Sequence, residues 1–263
     1  MPELPEVEAV VRIVRKAAVG RRITSARVYR CAATDLEKAV RGRRILAVER
    51  RAKHILMRLS GQITLHTHLR MSGHLRVVSD RQLPTSTARV VLALSGGGAL
   101  VLEDPRALAR MDAVATAAID ARMIRLGPEP LAPEFDAEEF VTAARPSRQA
   151  AKLFLMNQRR IAGLGNIYAA EALFRAGIDP RRAIGTLSES RLRRLHAAIV
   201  QVLEVAVQSA IEAYSGPGLI AESEAFPVAV YDREGESCLI CRRVIRRILQ
   251  GGRSTYFCPG CQH

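Results

Sequence analysis

The chain has 263 residues, 48% of them hydrophobic, which is enough for one large core or two medium ones. Forty basic side chains stand against 26 acidic ones, a formal charge of +14. That field favours a polyanionic partner, with a basic surface kept for solubility as the alternative. No apolar run approaches the ~20 residues of a bilayer span, and no basic-then-apolar leader precedes Met-Pro-Glu-Leu-Pro-Glu, so the expectation is a cytoplasmic protein with no membrane partner and no structural disulfides.

In chain order, Val7, Val10, Val11, Val14, Ala17 and Ala18 recur at helical spacing and predict an amphipathic helix over 5–18, with Pro5 in its first turn. From 22 to about 113 the pattern turns to short alternating or β-branched runs, the clearest at 45–48, 55–59, 63–68, 75–78, 90–94 and 100–102. Gly61, Gly73 and Gly96-Gly97-Gly98 punctuate them, as expected for a mainly antiparallel sheet or sandwich. Leu126-Gly-Pro-Glu-Pro-Leu-Ala-Pro133 carries three prolines and reads as a domain boundary. Helical periodicity follows at 136–144, 147–158, 166–176 and roughly 188–214, and the segment 228–263 is strand-like. The expected fold class is α+β. Residues 1–125 form an N-terminal β-sandwich domain with its leading helix, 126–135 a linker, 136–227 a helical domain and 228–263 a cysteine-bearing hairpin. A nucleic acid would lie in the cleft between the two domains.

Four of the five cysteines stand in Cys238-Leu-Ile-Cys241 and Cys258-Pro-Gly-Cys261, two Cys-x2-Cys knuckles separated by 16 residues. Each knuckle offers two thiolates, together a tetrahedral zinc set, with an iron–sulfur or redox centre as the alternative. Arg242, Arg243, Arg246, Arg247 and Arg253 lie between the pairs with no acid among them, which fits arginines laid along phosphates. Cys31 stands alone and reads as a partly buried thiol. At the other end, loss of Met1 would free Pro2 as a secondary amine. Such α-amino groups titrate at about 7.7–8.0, low enough to supply neutral nucleophile. Glu3 and Glu6 beside it would exchange protons, with an acidic helix start as the alternative reading of the same residues.

Three further places carry weaker signals. Lys53 falls in 41–58, which has seven basic residues and one acid; most of these should meet phosphate or water. His66 and His68 share one strand face, where core or surface histidines are the default reading. Gly163-Leu-Gly165-Asn166 separates two helices and can direct backbone donors at a phosphate, although a glycine-containing helix connection is common.

Together, these segments carry a resemblance. Met-Pro-Glu-Leu-Pro-Glu-Val-Glu at 1–8, Arg-Arg-Ala-Lys at 50–53, His-Leu-Arg-Met-Ser-Gly at 68–73, Asp-Pro-Arg at 104–106, Leu-Gly-Pro-Glu-Pro-Leu at 126–131, Gly-Leu-Gly-Asn-Ile-Tyr at 163–168 and the stretch 251–261 occur in one order. In that order the chain resembles the formamidopyrimidine-DNA glycosylase / endonuclease VIII family along essentially its whole length, closer to the formamidopyrimidine branch. The resemblance implies a bifunctional glycosylase and abasic-site lyase acting on a nucleotide flipped from damaged double-stranded DNA, monomeric and nucleoid-associated when bound. It implies Pro2 as Schiff-base nucleophile, Glu3 as the proton-transfer partner, Glu6 as a pocket residue and Lys53 as a further catalytic-site residue that holds phosphate. His68, Lys152, Asn166 and Arg253 would contact DNA phosphates, and one structural Zn2+ would sit on Cys238, Cys241, Cys258 and Cys261. The helices and turn of 147–176 would be the family's helix–two-turn–helix.

Departures from the family pattern shape the expected specificity. Met71, Arg106 and Leu108 would fill the void left by the flipped nucleotide, but Leu108 stands where a phenylalanine is usual. Arg70 replaces a glycine, and Asn157 stands where aspartate is common. Residues 216–230 are shorter than the loop that closes over 8-oxoguanine in purine-specific members. Weakened 8-oxoguanine preference is therefore expected, with formamidopyrimidines, oxidised pyrimidines or abasic sites as substrates. A catalytically inert damaged-DNA-binding relative is the competing reading, and intact Pro2, Glu3 and Lys53 argue against it.

Overall fold

The computed structural model describes residues 2–29, 35–79, 86–215 and 226–263. The chain divides into two compact units, one formed mainly by residues up to Arg125 and the other mainly by those from Leu126 onward. Cys31 and most of the 216–230 loop lie outside the described residues.

The first unit opens with α1 (Leu4–Ala18). Glu3 is its N-cap, and the Glu3 amide donates to Glu6 Oε2 at 2.8 Å, which satisfies one of the donors a helix start leaves open. Pro5 is tolerated because the first turn needs no intrahelical N–H. Then follow β1 (Ile23–Val28), α2 (Leu36–Val40), β2 (Ile45–Arg51), β3 (His54–Leu59), β4 (Ile63–His68), β5 (His74–Val78), β6 (Ala88–Leu94), β7 (Ala99–Glu103), β8 (Arg110–Ala115) and α3 (Thr116–Met123). They build two four-stranded antiparallel sheets, in the orders β1-β6-β7-β5 and β2-β3-β4-β8. One apolar cluster joins Val7, Val10, Val11 and Val14 of α1 to Ile23, Val48, Ile55, Met57, Leu65, Leu92, Leu102 and Met111. Each such buried aliphatic side chain is worth about 1.5–3 kcal/mol relative to exposure. In the second sheet the odd-numbered residues of β3 and β4 enter this core, so His54, His66 and His68 belong to the opposite face.

All six expected strands are present, each within a few residues. The structure adds β1 and β8, whose few buried positions leave little apolar alternation for a sequence pattern to show. It also adds the short helices α2 and α3.

The second unit contains α4 (Ala137–Ala144), α5 (Ala151–Met156), α6 (Asn166–Ala176), α7 (Glu189–Ser215) and the hairpin β9 (Arg246–Gln250) and β10 (Arg253–Phe257). Asp136 caps α4 by accepting from the Glu138 and Glu139 amides. The helix expected over 147–158 is shorter. Ala150 forms a β-bridge with Ala183, and the Ala151 amide donates to Arg182 O at 2.8 Å, which draws the preceding residues out of helical pairing.

Contrary to the expectation that no segment reaches membrane-spanning length, α7 is long and apolar enough to do so. Its buried residues Leu192, Leu195, Ile199, Val202, Leu203 and Ala206 recur at helical spacing, while Arg191, Arg193 and Arg194 share its first turns. That stripe is the pattern of an amphipathic core helix.

Candidate active site and metal centre

In the first unit, Pro2, Glu3 and Glu6 are all buried at the start of α1. One turn further on, Glu8 receives Arg12 Nε and Arg50 Nε, each at 2.8 Å. Burial pushes the Glu8 carboxyl up, but the two guanidiniums outweigh it and hold the group below the usual carboxylate range. The Glu8–Arg50 pair ties α1 to the end of β2. There Arg51 pairs with His54, leaving Ala52 and Lys53 as a two-residue turn. Ala52 takes a positive φ of 52°, and Arg50 Nη1 reaches its carbonyl at 3.2 Å. Lys53 is therefore carried on a turn anchored to the helix that Pro2 and Glu3 precede and that holds Glu6 in its first turn.

His68 ends β4 and pairs with His54 across the sheet. Its Nδ1 accepts the Arg70 amide at 3.0 Å. Beyond it, the 69–73 turn carries Met71, which is 46% exposed. Gly73 is required there, since a Cβ at that position would lie 2.4 Å from Leu69 O and 2.8 Å from Ala109 Cβ. The neighbouring 104–109 loop carries Arg106, which is exposed, and Leu108, which is 41% exposed.

Both segments are organised by Asp104, a fully buried carboxylate. It accepts Ser72 Oγ at 2.6 Å and the amides of Arg106, Leu108 and Ala109 at 3.1, 2.5 and 2.6 Å. Burial pushes its pKa up, yet the hydroxyl and three amides hold it below the ordinary aspartate value. Three exposed side chains thus stand on loops fastened by one carboxylate.

In the second unit, Lys152, Asn166 and Arg253 meet at β10. Lys152 is fully buried on α5, with Nζ donating to Ser254 O at 2.8 Å and Thr255 Oγ1 at 2.6 Å. Asn166 Nδ2 donates to the same Ser254 carbonyl at 3.0 Å from the start of α6. Arg253, the residue before, is exposed. Its position is set by the turn Gly251-Gly252, both at positive φ, which pairs Gln250 with Arg253 as a two-residue loop. The turn before α6 is clamped by Gln158, whose side chain accepts the Gly163 amide at 2.9 Å and donates to Leu164 O at 2.7 Å. Gly165 is the N-cap of α6 and supplies no side-chain cap. Asn157 ends α5, and its Oδ1 accepts the Arg159 amide at 3.0 Å.

The four Sγ atoms of Cys238, Cys241, Cys258 and Cys261 all lie within 4.8 Å of one another. Four thiolates about 2.3 Å from a zinc ion stand ~3.8 Å apart in a tetrahedron, so the cluster fits Zn2+. Gly260 permits the approach, because a Cβ there would come within 2.8 Å of Cys241 Sγ. The hairpin rests on α6 through Ala170, Phe174, Val230, Ile245 and Tyr256. Glu171 of the same helix accepts the amides of Ala229, Val230 and Tyr231 at 2.8–2.9 Å. Burial pushes the Glu171 carboxyl up in spite of these amides. A zinc ion here is structural, as four cysteine ligands leave no open position for a substrate.

Residues 1–111 match the formamidopyrimidine-DNA glycosylase N-terminal domain, 126–215 the H2TH domain of the same enzymes, and 235–263 a zinc finger found in FPG and IleRS. Curated formamidopyrimidine-DNA glycosylases of Cereibacter sphaeroides and Geotalea uraniireducens are 39% and 40% identical, with all of this chain and all of each relative covered. The chain belongs to the formamidopyrimidine-DNA glycosylase family. It is a DNA-repair enzyme of the glycosylase and abasic-site lyase type. Among solved structures, MutM in complex with DNA containing carbocyclic 8-oxo-G is 31% identical with a TM-score of 0.88 and full coverage of both chains. The Lactococcus lactis FPG complex with Fapy-dG-containing DNA is 30% identical with a TM-score of 0.89, covering 99% of this chain and 100% of that one.

Sequence reasoning missed Asp104, Gln158, Glu171 and the pairing of His54 with His66. Asp104 lies inside the Asp-Pro-Arg motif at 104–106, where the sequence does not distinguish a buried carboxylate from an exposed one. The other residues carry no local signal, because their partners become neighbours only on folding.

Proposed function

We propose that this enzyme excises oxidised bases from damaged double-stranded DNA and then cleaves the abasic strand, with Pro2 as nucleophile once Met1 is removed. The observation that carries the reading is the burial of Pro2, Glu3 and Glu6 together at the first turn of α1, on a helix tied by Glu8–Arg50 to the turn bearing Lys53. An α-amino group titrates at about 7.7–8.0 and the positive end of the helix dipole disfavours its ammonium form, so a useful fraction of the amine is neutral and nucleophilic near pH 7. It attacks C1′, the damaged base departs, and the secondary amine becomes an iminium. Glu3 delivers a proton to the opening sugar ring. Loss of a C2′ proton then expels the 3′ phosphate by β-elimination, and a second elimination expels the 5′ phosphate, leaving a one-nucleoside gap. Glu6 keeps the first turn ordered through the Glu3 amide.

Lys53, His68, Asn166 and Arg253 hold phosphates around the flipped nucleotide in this reading. Lys152 contributes from behind, through Ser254 and Thr255, to the position of Arg253. Met71, Arg106 and Leu108, presented on the loops that Asp104 fastens, fill the vacated stack. The protein works as a monomer in the cytoplasm, with the nucleoid rather than a membrane as its partner.

For the lesion, we propose formamidopyrimidines, oxidised pyrimidines or abasic sites, with weakened 8-oxoguanine excision. Support comes from the short 216–230 sequence.

Borohydride trapping on abasic DNA tests the nucleophile. The processed enzyme should form a covalent adduct that Pro2→Gly diminishes. Undiminished trapping by Pro2→Gly would reassign the amine, and no trapping at all would favour the inert relative. Selective removal of 8-oxoguanine opposite cytosine would overturn the lesion reading.

A further inference from the structure

The face of the β2-β3-β4-β8 sheet opposite the core carries three histidine rings in contact. His54 Nδ1 lies 2.8 Å from His66 Nε2, and the His54 ring sits 4.8 Å from the His68 ring, edge to face. His66 is 5% exposed, and its Nδ1 has no hydrogen-bond partner among the described residues. These facts assign the protons. A neutral imidazole has one N–H and one bare nitrogen. Were the His66 proton on Nδ1, a buried donor would be left unsatisfied, the costlier kind of orphan. The proton therefore sits on His66 Nε2 and is donated to His54 Nδ1, which forces the His54 proton onto Nε2. His68 is fixed the same way, since its Nδ1 accepts the Arg70 amide and its proton must be on Nε2.

We infer that His54 is a further DNA-phosphate ligand, a neutral Nε2–H donor set beside His68 and oriented by the buried His66. The inference rests on the reading that Lys53 and His68 hold phosphate. His54 directly follows Lys53 in the chain and faces His68 across the strand pair, so all three belong to one end of the sheet. The charged groups around the cluster are Lys53 on the turn, Arg70 beyond β4, Arg110 and Asp112 on β8, and Arg122 on α3. Burial, then the neighbouring histidines and arginines, hold His54 down to about 3; burial and Arg70 lead the causes that hold His68 at about 4. Both rings are accordingly neutral at working pH. They donate to phosphate without adding charge, while Lys53 and the arginines supply the field.

The test is binding of the full-length protein to a duplex with a tetrahydrofuran abasic analogue, measured across a salt series. His54→Ala should weaken binding about tenfold, the worth of a hydrogen bond to a charged group, with the slope of log K against log salt unchanged. Lys53→Ala should instead reduce that slope by ~0.9, the signature of one lost phosphate neutralisation. His54→Gln, which keeps an N–H donor, should recover most of the affinity and guards against a folding artefact. His66→Phe should reproduce the His54→Ala loss and His66→Gln should rescue it. Nitrogen-15 spectra of the wild type should show His54 protonated on Nε2 alone. Wild-type affinity in His54→Ala, alongside weakened His68→Ala, would overturn the inference and leave the phosphate reading standing. Wild-type affinity in both would sink the phosphate reading itself. A salt slope lowered by His54→Ala would show a charged ring and overturn the neutral-donor assignment.

Discussion

The loop pair at 69–73 and 104–109 and the hairpin at 235–263 both present exposed side chains on turns, yet they are held by opposite means. The loops project from a unit with a continuous core of two sheets and a helix, so a single carboxylate, Asp104, suffices to fasten them through one hydroxyl and three amides. The hairpin has two five-residue strands and a small cluster against α6. Two strands alone bury too little apolar surface to hold a shape, so four thiolates and a metal replace the missing core. Hydrogen bonds are enough where a large core already fixes the backbone, and a metal is needed where it does not.

The strongest break in that comparison is removal of the metal. Cys258→Ser, or chelation of the wild type, should unfold the hairpin, release one zinc per chain and cut DNA affinity by on the order of 100-fold, while the first unit keeps its fold. Metal analysis, circular dichroism and a binding titration check it, and an intact hairpin without metal would refute the argument.

Next in size is Asp104→Ala, which leaves three amides without their acceptor and should cost about 2–4 kcal/mol in a denaturant titration. Asp104→Asn should recover only part of this, because its amide group cannot accept all the same bonds.

Acid sharpens the contrast. The folded pKa of Asp104 lies below its unfolded value near 3.8, so its contribution is complete above that value and is lost as pH falls through the folded one. The lowered histidines act in a higher window. The unfolded chain takes up their protons near 6.5 while folded His54 and His68 resist until about 3 and 4, so stability declines as pH falls between these limits. Thermal melts from pH 7 to about 2 should show a descending limb from the histidines and a further one below about 3.8, of which Asp104→Ala flattens the lower one alone.

Lys152→Met should cost less, about 1–3 kcal/mol, since Ser254 O keeps its bond from Asn166. Weaker DNA binding with an unchanged salt slope would mark Lys152 as a support for Arg253, and a slope reduced by ~0.9 would mark it as a phosphate ligand. The smallest change is Leu108→Phe, which adds a stacking face to the exposed loop and should tighten binding to lesion duplex by ~2–5-fold.

Much of this was legible along the chain because the signals are local. Cysteine spacing fixed the ligand set, the 3–4 spacing of valines located α1, and the ordered motifs named the family. Strands β1 and β8 escaped notice because few of their side chains are buried, and α5 came out shorter because Ala150 is taken by a bridge to Ala183. Residues that act through distant partners were silent. Asp104 meets Ser72 across 32 positions, Glu171 meets Val230 across 59, and His54 meets His66 only when β3 and β4 pair. Sequence alone determined which chemical groups this protein owns, since thiols, carboxylates and arginines declare themselves by identity and spacing. Only the tertiary structure decided their states, because which nitrogen carries a proton, which carboxylate is buried and which lysine reaches solvent depend on neighbours that the linear chain keeps apart.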